Sequence, residues 1–333
     1  MMWIKAASAD DVLSIVMSRL KLEAFATGAF DAGGAWAIEF PAADALMFKV
    51  ISKGECCLAV EGEQTPYRLR TGDCFLVSKG RSFVMAKDLK AGTKVSAQTL
   101  AHTKQENGVS VCNGGGDVIS IGTVFRFEGH FSDIAFRSLP PVIHIPAHLD
   151  QAAVLRWSLD RFGAEFHGLS AGRSLMMGHL APIILLQTLR IYLASTNDDR
   201  NWLAALSHPK LSKAMGAMHA DYGKTWSLDG LAKTAGMSRA GFALNFKKLV
   251  GVAPIDYLVN WRMQIARDLL QQGQLGLSEV ATAVGYKSES AFSAAFKKIV
   301  KCRPGFYQRN WNSAPDVRHH EIPSLARTTS SIS

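Results

Sequence analysis

The sequence has few cysteines, and those it has are badly placed for cross-linking or for holding a metal. Cys56, Cys57, Cys74, Cys112 and Cys302 are odd in number, and none stands in a C-x-x-C or Cys/His ligand spacing. A disulfide framework and a structural zinc site are therefore not expected, and the thiols read as the reduced residues of a cytoplasmic protein. Long apolar runs are scarce too. The most apolar stretch, Leu180 to Leu186, contains Pro182 and ends at Gln187, well short of the ~20 residues that cross a bilayer. It is expected to be a buried helix, and no membrane partner is expected. A secretory leader is not legible either, because Asp10 and Asp11 interrupt the only candidate region.

Acidic residues are few in one part of the chain only. Before residue 221 there are 22 Lys and Arg against 20 Asp and Glu, whereas from residue 221 onward there are 15 against 8. Most of the net charge of +9 therefore lies in the last third. A basic, compact C-terminal segment is the electrostatic footprint of a phosphate-backbone binder. At 333 residues the chain exceeds one average domain, so two or three cores are expected.

Between residues 36 and 87, short apolar or alternating runs recur at Ala45–Ser52, Cys56–Val60, Asp73–Val77 and Ser82–Ala86, separated by turns such as Lys53-Gly54 and Arg70-Thr71-Gly72. Such spacing predicts a β-sandwich or barrel. A further strand is expected over Asp117–Phe127, after Gly114-Gly115-Gly116, and the strand pattern ends near residue 148. From Asp150 the apolar spacing turns helical, through Leu155, Leu159, Leu180, Ile184, Leu185 and Leu189.

The strongest signal is an internal duplication. Leu228, Ala232 and Gly236 recur as Leu277, Ala281 and Gly285, and Phe242, Phe246, Lys247, Lys248, Pro254 and Tyr257 recur as Phe292, Phe296, Lys297, Lys298, Pro304 and Tyr307. Each copy reads helix, glycine turn, helix, with Ser238 and Ser288 placed to cap the second helices. At ~100° per residue, Phe242, Phe246 and Leu249 share an inward face, opposite Ala240, Ala243, Leu244 and Lys247. In the second copy Phe292, Phe296 and Ile299 face in, opposite Ser290, Ser293, Ala294 and Lys297. The outward sets are expected to enter major grooves. A stiff helix over Ile255–Gln272 would hold them at the separation of successive grooves, roughly 34 Å.

This region resembles the AraC/XylS family of transcription regulators. The matching residues are Ser227-Leu228-x-x-Leu231-Ala232-x-x-x-Gly236-Met237-Ser238-Arg239, Phe246-Lys247 through Gly251, Pro254 and Tyr257-Leu258, Trp261-Arg262-Met263, Ala281 through Gly285-Tyr286-x-Ser288-Glu289-x-x-Phe292, and Phe296-Lys297 through Pro304. The first part resembles the cupin-like sensor domains of one branch of that family through Gly54-Glu55-Cys56, Leu69-x-x-Gly72-Asp73, Gly122 to Phe127 and Leu139-Pro140-Pro141-Val142-Ile143-His144. Family members often carry arginine where Leu244 and Ala294 stand here, so the strong bidentate contact with guanine is missing at both positions. Base reading would fall to Arg239, to Glu289 accepting from a cytosine amino group, and to apolar contacts of Ala240, Ala243, Leu244 and Ala294 with thymine methyls. Ser238, Lys247, Lys248, Arg262, Ser288, Lys297 and Lys298 read as backbone-positioning residues.

Catalytic chemistry is not expected. A metal-dependent cupin needs a His-x-His pair with a carboxylate and a later histidine, whereas this chain has no histidine near Phe48-Lys49 and carries Phe83 at the later position. Gly168-Leu169-Ser170-Ala171-Gly172 matches a nucleophile elbow literally, but its surroundings are helical, and an interhelix loop is expected. Trp36, Phe40, Phe48, Phe75, Phe83 and Phe125 are candidates to line an apolar effector pocket, although aromatics at alternate positions are more often plain core. Cys56, Cys57, Cys74 and Cys112 are the redox-sensing alternative.

The expected architecture is thus α+β and multidomain: a cupin-like β-barrel or sandwich over 1–148, a helical connector over 149–215 that could dimerise, an all-α domain with two helix-turn-helix units over 216–312, and a disordered tail over 313–333. The expected function is transcription regulation, as an activator responding to a small molecule or a redox signal. The expected partners are double-stranded DNA, a small-molecule effector and RNA polymerase, and the chain would act as a monomer or homodimer. The competing reading is an effector-binding module whose basic helices contact protein.

Overall fold

A computed structural model of the chain describes residues 11–20, 22–90, 94–103, 108–127, 129, 131–137, 139–168, 170–195 and 202–313. The expected tail falls outside the described residues apart from Ser313. The chain forms two compact units, Met1–Asp221 with Trp226–Leu258, and Tyr222–Thr225 with Val259–Ser333.

In the first unit, helix α1 (Val12–Arg19) precedes strands β1 (Leu22–Ala32), β2 (Ala37–Phe40), β3 (Leu46–Lys53), β4 (Glu55–Val60), β5 (Tyr67–Arg70), β6 (Cys74–Val77), β7 (Phe83–Ala86) and β8 (Lys94–Ser96). Helix α2 (Ala97–Ala101), β9 (Val109–Cys112), β10 (Val118–Phe127), helix α3 (Phe131–Phe136) and β11 (Val142–Ile145) follow. They build a six-stranded sheet, β11-β6-β3-β10-β1-β9, and a five-stranded sheet, β5-β4-β7-β2-β8. Side chains alternate across a strand, so Met47, Lys49 and Ile51 share one face of β3 while Phe48 takes the other. Met47 and Ile51 join Phe30, Trp36, Ile38, Leu58, Phe75, Val77, Phe83 and Met85 in the core between the sheets.

The other face of the larger sheet is covered by helices α4 (Ala153–His167) and α5 (Arg173–Ser195), with α5 packed on β1 and β11 and Gly163 of α4 beside Ile121. By length and composition α5 could cross a membrane, but Leu180, Ala181, Ile184, Leu185, Thr188, Leu189 and Ile191 are buried within the protein. Its register runs through Pro182 without a break. Helices α6 (Trp202–Ser207) and α7 (Leu211–Ala220) lead to α8 (Leu228–Thr234) and α9 (Arg239–Val250), the first helix-turn-helix.

Helix α10 (Pro254–Gln272) is continuous, and the division between the units falls inside it. In the second unit it is followed by α11 (Leu277–Ala283), α12 (Glu289–Val300) and α13 (Pro304–Ser313). Local chemistry fixes these ends. Ser227, Ser238 and Ser288 each accept a hydrogen bond from the backbone N–H three residues on, while Glu279 accepts from the N–H of Gly276. In the second copy the turn glycine Gly285 has φ +79°, and a Cβ there would lie 2.4 Å from the carbonyl oxygen of Gly223. Only glycine fits. The second helix ends in a left-handed residue in both copies, Gly251 in the first and Lys301 in the second.

The inward faces of α9 and α12 are alike. Phe242 meets Phe246 at 5.6 Å and Phe246 meets Tyr257 edge-on at 5.4 Å; Phe292 meets Phe296 at 5.6 Å and Phe296 meets Tyr307 at 5.6 Å. All four phenylalanines are fully buried. Truncation of such a ring costs about 3–5 kcal/mol, so Phe246→Ala and Phe296→Ala should each lower the unfolding free energy by that amount, seen as a lower midpoint in urea melts. An unchanged midpoint would mean that the inward faces have been misassigned.

Candidate DNA-binding surface

The outward faces of α9 and α12 carry the residues that the helical period singled out. Arg239, Ala240, Leu244, Lys247 and Lys248 are exposed on α9, with Ala243 half-buried. Leu244 is 72% exposed, the largest exposure among the bulky apolar residues of the described chain. On α12, Glu289, Ser290, Ala294, Lys297 and Lys298 are exposed and Ser293 is half-buried. Each helix therefore shows, within its own unit, a ridge of small or apolar side chains between a capped N-terminus and a lysine pair.

Such a ridge suits a major groove. Small side chains let the helix approach base edges, apolar ones meet thymine methyls, and the lysines reach phosphates. Ser238 accepts from its helix N-terminus, which leaves its hydroxyl proton for a phosphate, while Ser288 accepts in the same way and also shares a hydrogen bond with Ser290 Oγ at 3.1 Å. Arg239 lies 3.6 Å from Asp229, with both side chains mostly exposed. An exposed pair of this kind is worth little, so the guanidinium is free to exchange its partner for a base or phosphate.

Arg262 is a correction. It was expected to position the DNA backbone, but it is only 9% exposed. Its Nε donates to the carbonyl of Tyr222 at 2.7 Å, one Nη donates to that of Lys224 at 2.8 Å, and the guanidinium lies 5.8 Å from the Tyr286 ring centroid. Two of its five N–H donors hold the segment before the first helix-turn-helix, and burial keeps the guanidinium off the surface where a phosphate would lie. The sequence signal, an arginine beside Trp261 in a basic domain, does not distinguish the buried from the exposed face of a helix.

The interior of the sandwich divides the effector candidates by strand parity. Trp36, Phe75 and Phe83 lie in the core between the sheets, with Phe40 packed against it. Phe40 stacks on Phe83 at 4.4 Å and Phe30 meets Trp36 edge-on at 5.7 Å. Phe48 and Phe125 are buried on the opposite parity, with Ile121, toward the helical layer. They therefore leave the pocket set. Lys49, by contrast, points into this interior. Its ammonium sits 4.5 Å from the Phe40 centroid and 5.2 Å from that of Phe30, and burial lowers its pKa to about 8. Its signal was the alternation Met47-x-Lys49-x-Ile51, which puts a cation at an apolar parity.

Three of the four candidate cysteines are poorly disposed to ionise. Burial pushes the Cys56 thiol up to about 12, pushes Cys74 higher still, and raises Cys112. Cys57 is half-buried with its sulfur 3.9 Å from the Lys87 carbonyl. Other candidate chemistry does not assemble. Ser170 follows the end of helix α4 rather than a strand, His144 lies on β11 with Nε2 3.5 Å from Asp73, and no group of three metal-ligating side chains exists among the described residues.

Two family models match the chain, one described as cupin over residues 11–194 and one as a helix-turn-helix domain over residues 231–310. A putative AraC-like transcription regulator from Streptomyces antibioticus is 35% identical over 301 residues, covering 90% of this chain and 99% of that protein. The transcriptional regulator AlkR of Acinetobacter baylyi is 31% identical over 285 residues, covering 83% of this chain and 92% of its own length. Among solved structures, the DNA-binding domain of AdpA in complex with a target DNA is 26% identical, covering 31% of this chain and 94% of that one, with a TM-score of 0.31.

The contrast between Arg262 and the surface lysines is measurable. Lys297→Ala should weaken binding to all duplexes alike with melting unchanged, and Glu289→Ala should shift preference at one base position by about 1–3 kcal/mol. Arg262→Ala should instead lower the melting temperature. Selection on a randomised operator, run beside thermal melts, separates the three, and wild-type melting of Arg262→Ala would return that residue to the DNA surface.

Proposed function

Since the chain belongs to the AraC family of transcription regulators, with a cupin domain ahead of a helix-turn-helix DNA-binding domain, we propose that it activates transcription from operators read by both recognition helices, in response to a small molecule taken up by its β-sandwich. The observation that carries the DNA part is the pair of outward ridges on α9 and α12, each exposed beside two lysines and each backed by a fully buried aromatic face. A helix that only packed against its own repeat would have no reason to leave Leu244 bare.

In functional terms the modules remain 1–148 for sensing, 149–215 as connector and 216–312 for DNA. The connector is also the site at which two copies would pair, because Val154 and Trp157 on α4 and Leu175 and Met176 on α5 are exposed. RNA polymerase is the partner that an activator requires, and the cytoplasm is where it would meet the promoter. Of the two signals, the small molecule is favoured over oxidation, because reactive thiols need a depressed pKa and an accessible position, whereas Cys56, Cys74 and Cys112 are buried with raised pKa values.

Salt dependence tests the first half. Full-length protein bound to duplex from its operator should lose on the order of 10³-fold in affinity between about 50 and 200 mM salt if about six phosphates are neutralised. A flat salt profile in fluorescence anisotropy would favour a protein partner for the basic helices. A promoter-reporter assay of the Cys56→Ser, Cys57→Ser, Cys74→Ser and Cys112→Ser variants tests the second half. Regulation should survive in all four, and loss of a peroxide or hypochlorite response in one folded variant would make oxidation the signal.

A further inference from the structure

The interior of the β-sandwich contains three polar donors and nothing described for them to bind. Lys49 is 6% exposed, and among the described residues it has no carboxylate partner and no hydrogen bond; its ammonium lies over the faces of Phe30 and Phe40. The indole N–H of Trp36 and the hydroxyl of Ser120 are both buried without a hydrogen-bond partner. All three surround one ring. Phe30 carries the Lys49 ammonium on its face and the Trp36 indole against its edge, and Ser120 stands directly across from it on β10.

Buried charges are normally paired, and buried polar groups hydrogen-bonded, because losing water without a replacement is costly. Contact with aromatic faces offsets only part of that cost for an ammonium. The backbone also makes room at this level. Gly122 on β10 stands across from Lys49, and a Cβ there would lie 2.8 Å from Lys49 Cγ and 3.1 Å from its Nζ. Gly122 is itself paired with Gly28 on β1, so two neighbouring strands lack side chains beside the lysine. A glycine that admits a buried cation, beside two unused donors, is a built feature rather than a core defect.

We propose that this interior binds the carboxylate head of an apolar organic acid, with Lys49 as counter-ion and Trp36 Nε1 and Ser120 Oγ as further donors. The proposal rests on the reading that the β-sandwich answers a small molecule, and it names the chemical class. A carboxylate is acceptor-only and offers about four lone-pair sites, enough for three donors. A neutral ligand would leave the ammonium without a counter-charge, and a metal cation would be repelled by it. The tail is apolar because the walls around these donors are Met47, Ile51, Phe75, Val77 and Phe83. An ammonium whose pKa burial has lowered to about 8 is still mostly charged at neutral pH, and an incoming anion would restore it.

The test uses full-length protein, straight-chain acids from hexanoate to dodecanoate together with phenylacetate, and the matching alcohols, in calorimetric titration and thermal melts. Wild-type protein should bind at least one acid saturably, with its alcohol about tenfold weaker or worse. Lys49→Met, which keeps the apolar stem and removes the charge, should lose that preference for the acid while binding operator DNA as before. Without any ligand Lys49→Met should melt at or above the wild type, since no native ion pair is lost. Trp36→Phe and Ser120→Ala should each weaken the acid and not the alcohol.

The proposal is overturned if no acid in the series binds, or if acid and alcohol bind alike. It is also overturned if Lys49→Met keeps the acid preference, or if it melts lower without ligand. Equal binding of acid and alcohol, or of the acid to wild type and Lys49→Met, would remove the carboxylate and leave small-molecule sensing standing. A silent series combined with an oxidant response that disappears in a Cys→Ser variant would remove both.

Discussion

The helical part of this protein depends on how a tyrosine hydroxyl is satisfied in each helix-turn-helix, fully buried at Tyr257 and half-buried at Tyr307. Tyr257 and Tyr307 occupy equivalent places, each closing a stack of two phenylalanines, and a tyrosine drawn into such a stack brings a partner for its oxygen. The two copies solve the problem differently. Tyr307 accepts from Arg267 at 3.1 Å and from Gln271 at 2.6 Å, both on α10. Tyr257 accepts from the Trp202 indole N–H at 3.1 Å and lies 2.7 Å from His219 Nε2. Burial pulls the His219 pKa down to about 3 and pushes that of Tyr257 up, so a neutral imidazole and a neutral phenol share this hydrogen bond, its direction set by the imidazole tautomer.

That difference decides what each helix-turn-helix is attached to. The second is supported within its own repeat, whereas the first draws its partners from α6 and α7, and Phe131 of α3 packs edge-on against Tyr257 at 5.2 Å. Helix α3 follows directly on β10, the strand that carries Ser120 and Gly122. Within the first unit the strand that lines the sandwich is thus followed along the chain by the helix whose Phe131 packs on the core behind α9. Contiguity alone does not establish coupling. It does put the first recognition helix, through its own aromatic core, in mechanical contact with the domain that would hold a ligand.

Much of this was legible in the sequence because it is local or periodic. The duplication, the serine caps, the glycine turns and the inward Phe faces follow from spacing alone, and the structure places each where the period put it. Strands were harder. Leu22–Ala32 is rich in alanine and carries Gly28 in its middle, so β1 showed no alternating signal although Gly33-Gly34 follows its end. Val142–Ile145 was hidden by Pro140, Pro141 and Pro146, which read as loop punctuation, yet it forms the edge strand of its sheet, where flanking prolines do not interrupt a ladder. Parity decided the aromatic candidates. With register unknown, Phe48 and Phe125 could not be told from Phe75 and Phe83, because both faces of the larger sheet are buried.

Lysine and arginine misled for a related reason. A charged residue is presumed solvated, which is right for Lys247 and Lys297 and wrong for Arg262 and Lys49. The two buried cations differ in what surrounds them. Arg262 has backbone carbonyls in reach, so its charge is spent on the fold. Lys49 has aromatic faces and two idle donors. Nothing comparable surrounds the cysteines: Cys56 and Cys112 face the same apolar core, and burial disfavours their thiolates just as it disfavours a bare ammonium. A thiol can answer that penalty by staying neutral at no cost to the fold. An ammonium placed among further donors relaxes only when an anion arrives, so the charge stored in this interior is suited to capturing a ligand rather than to being oxidised.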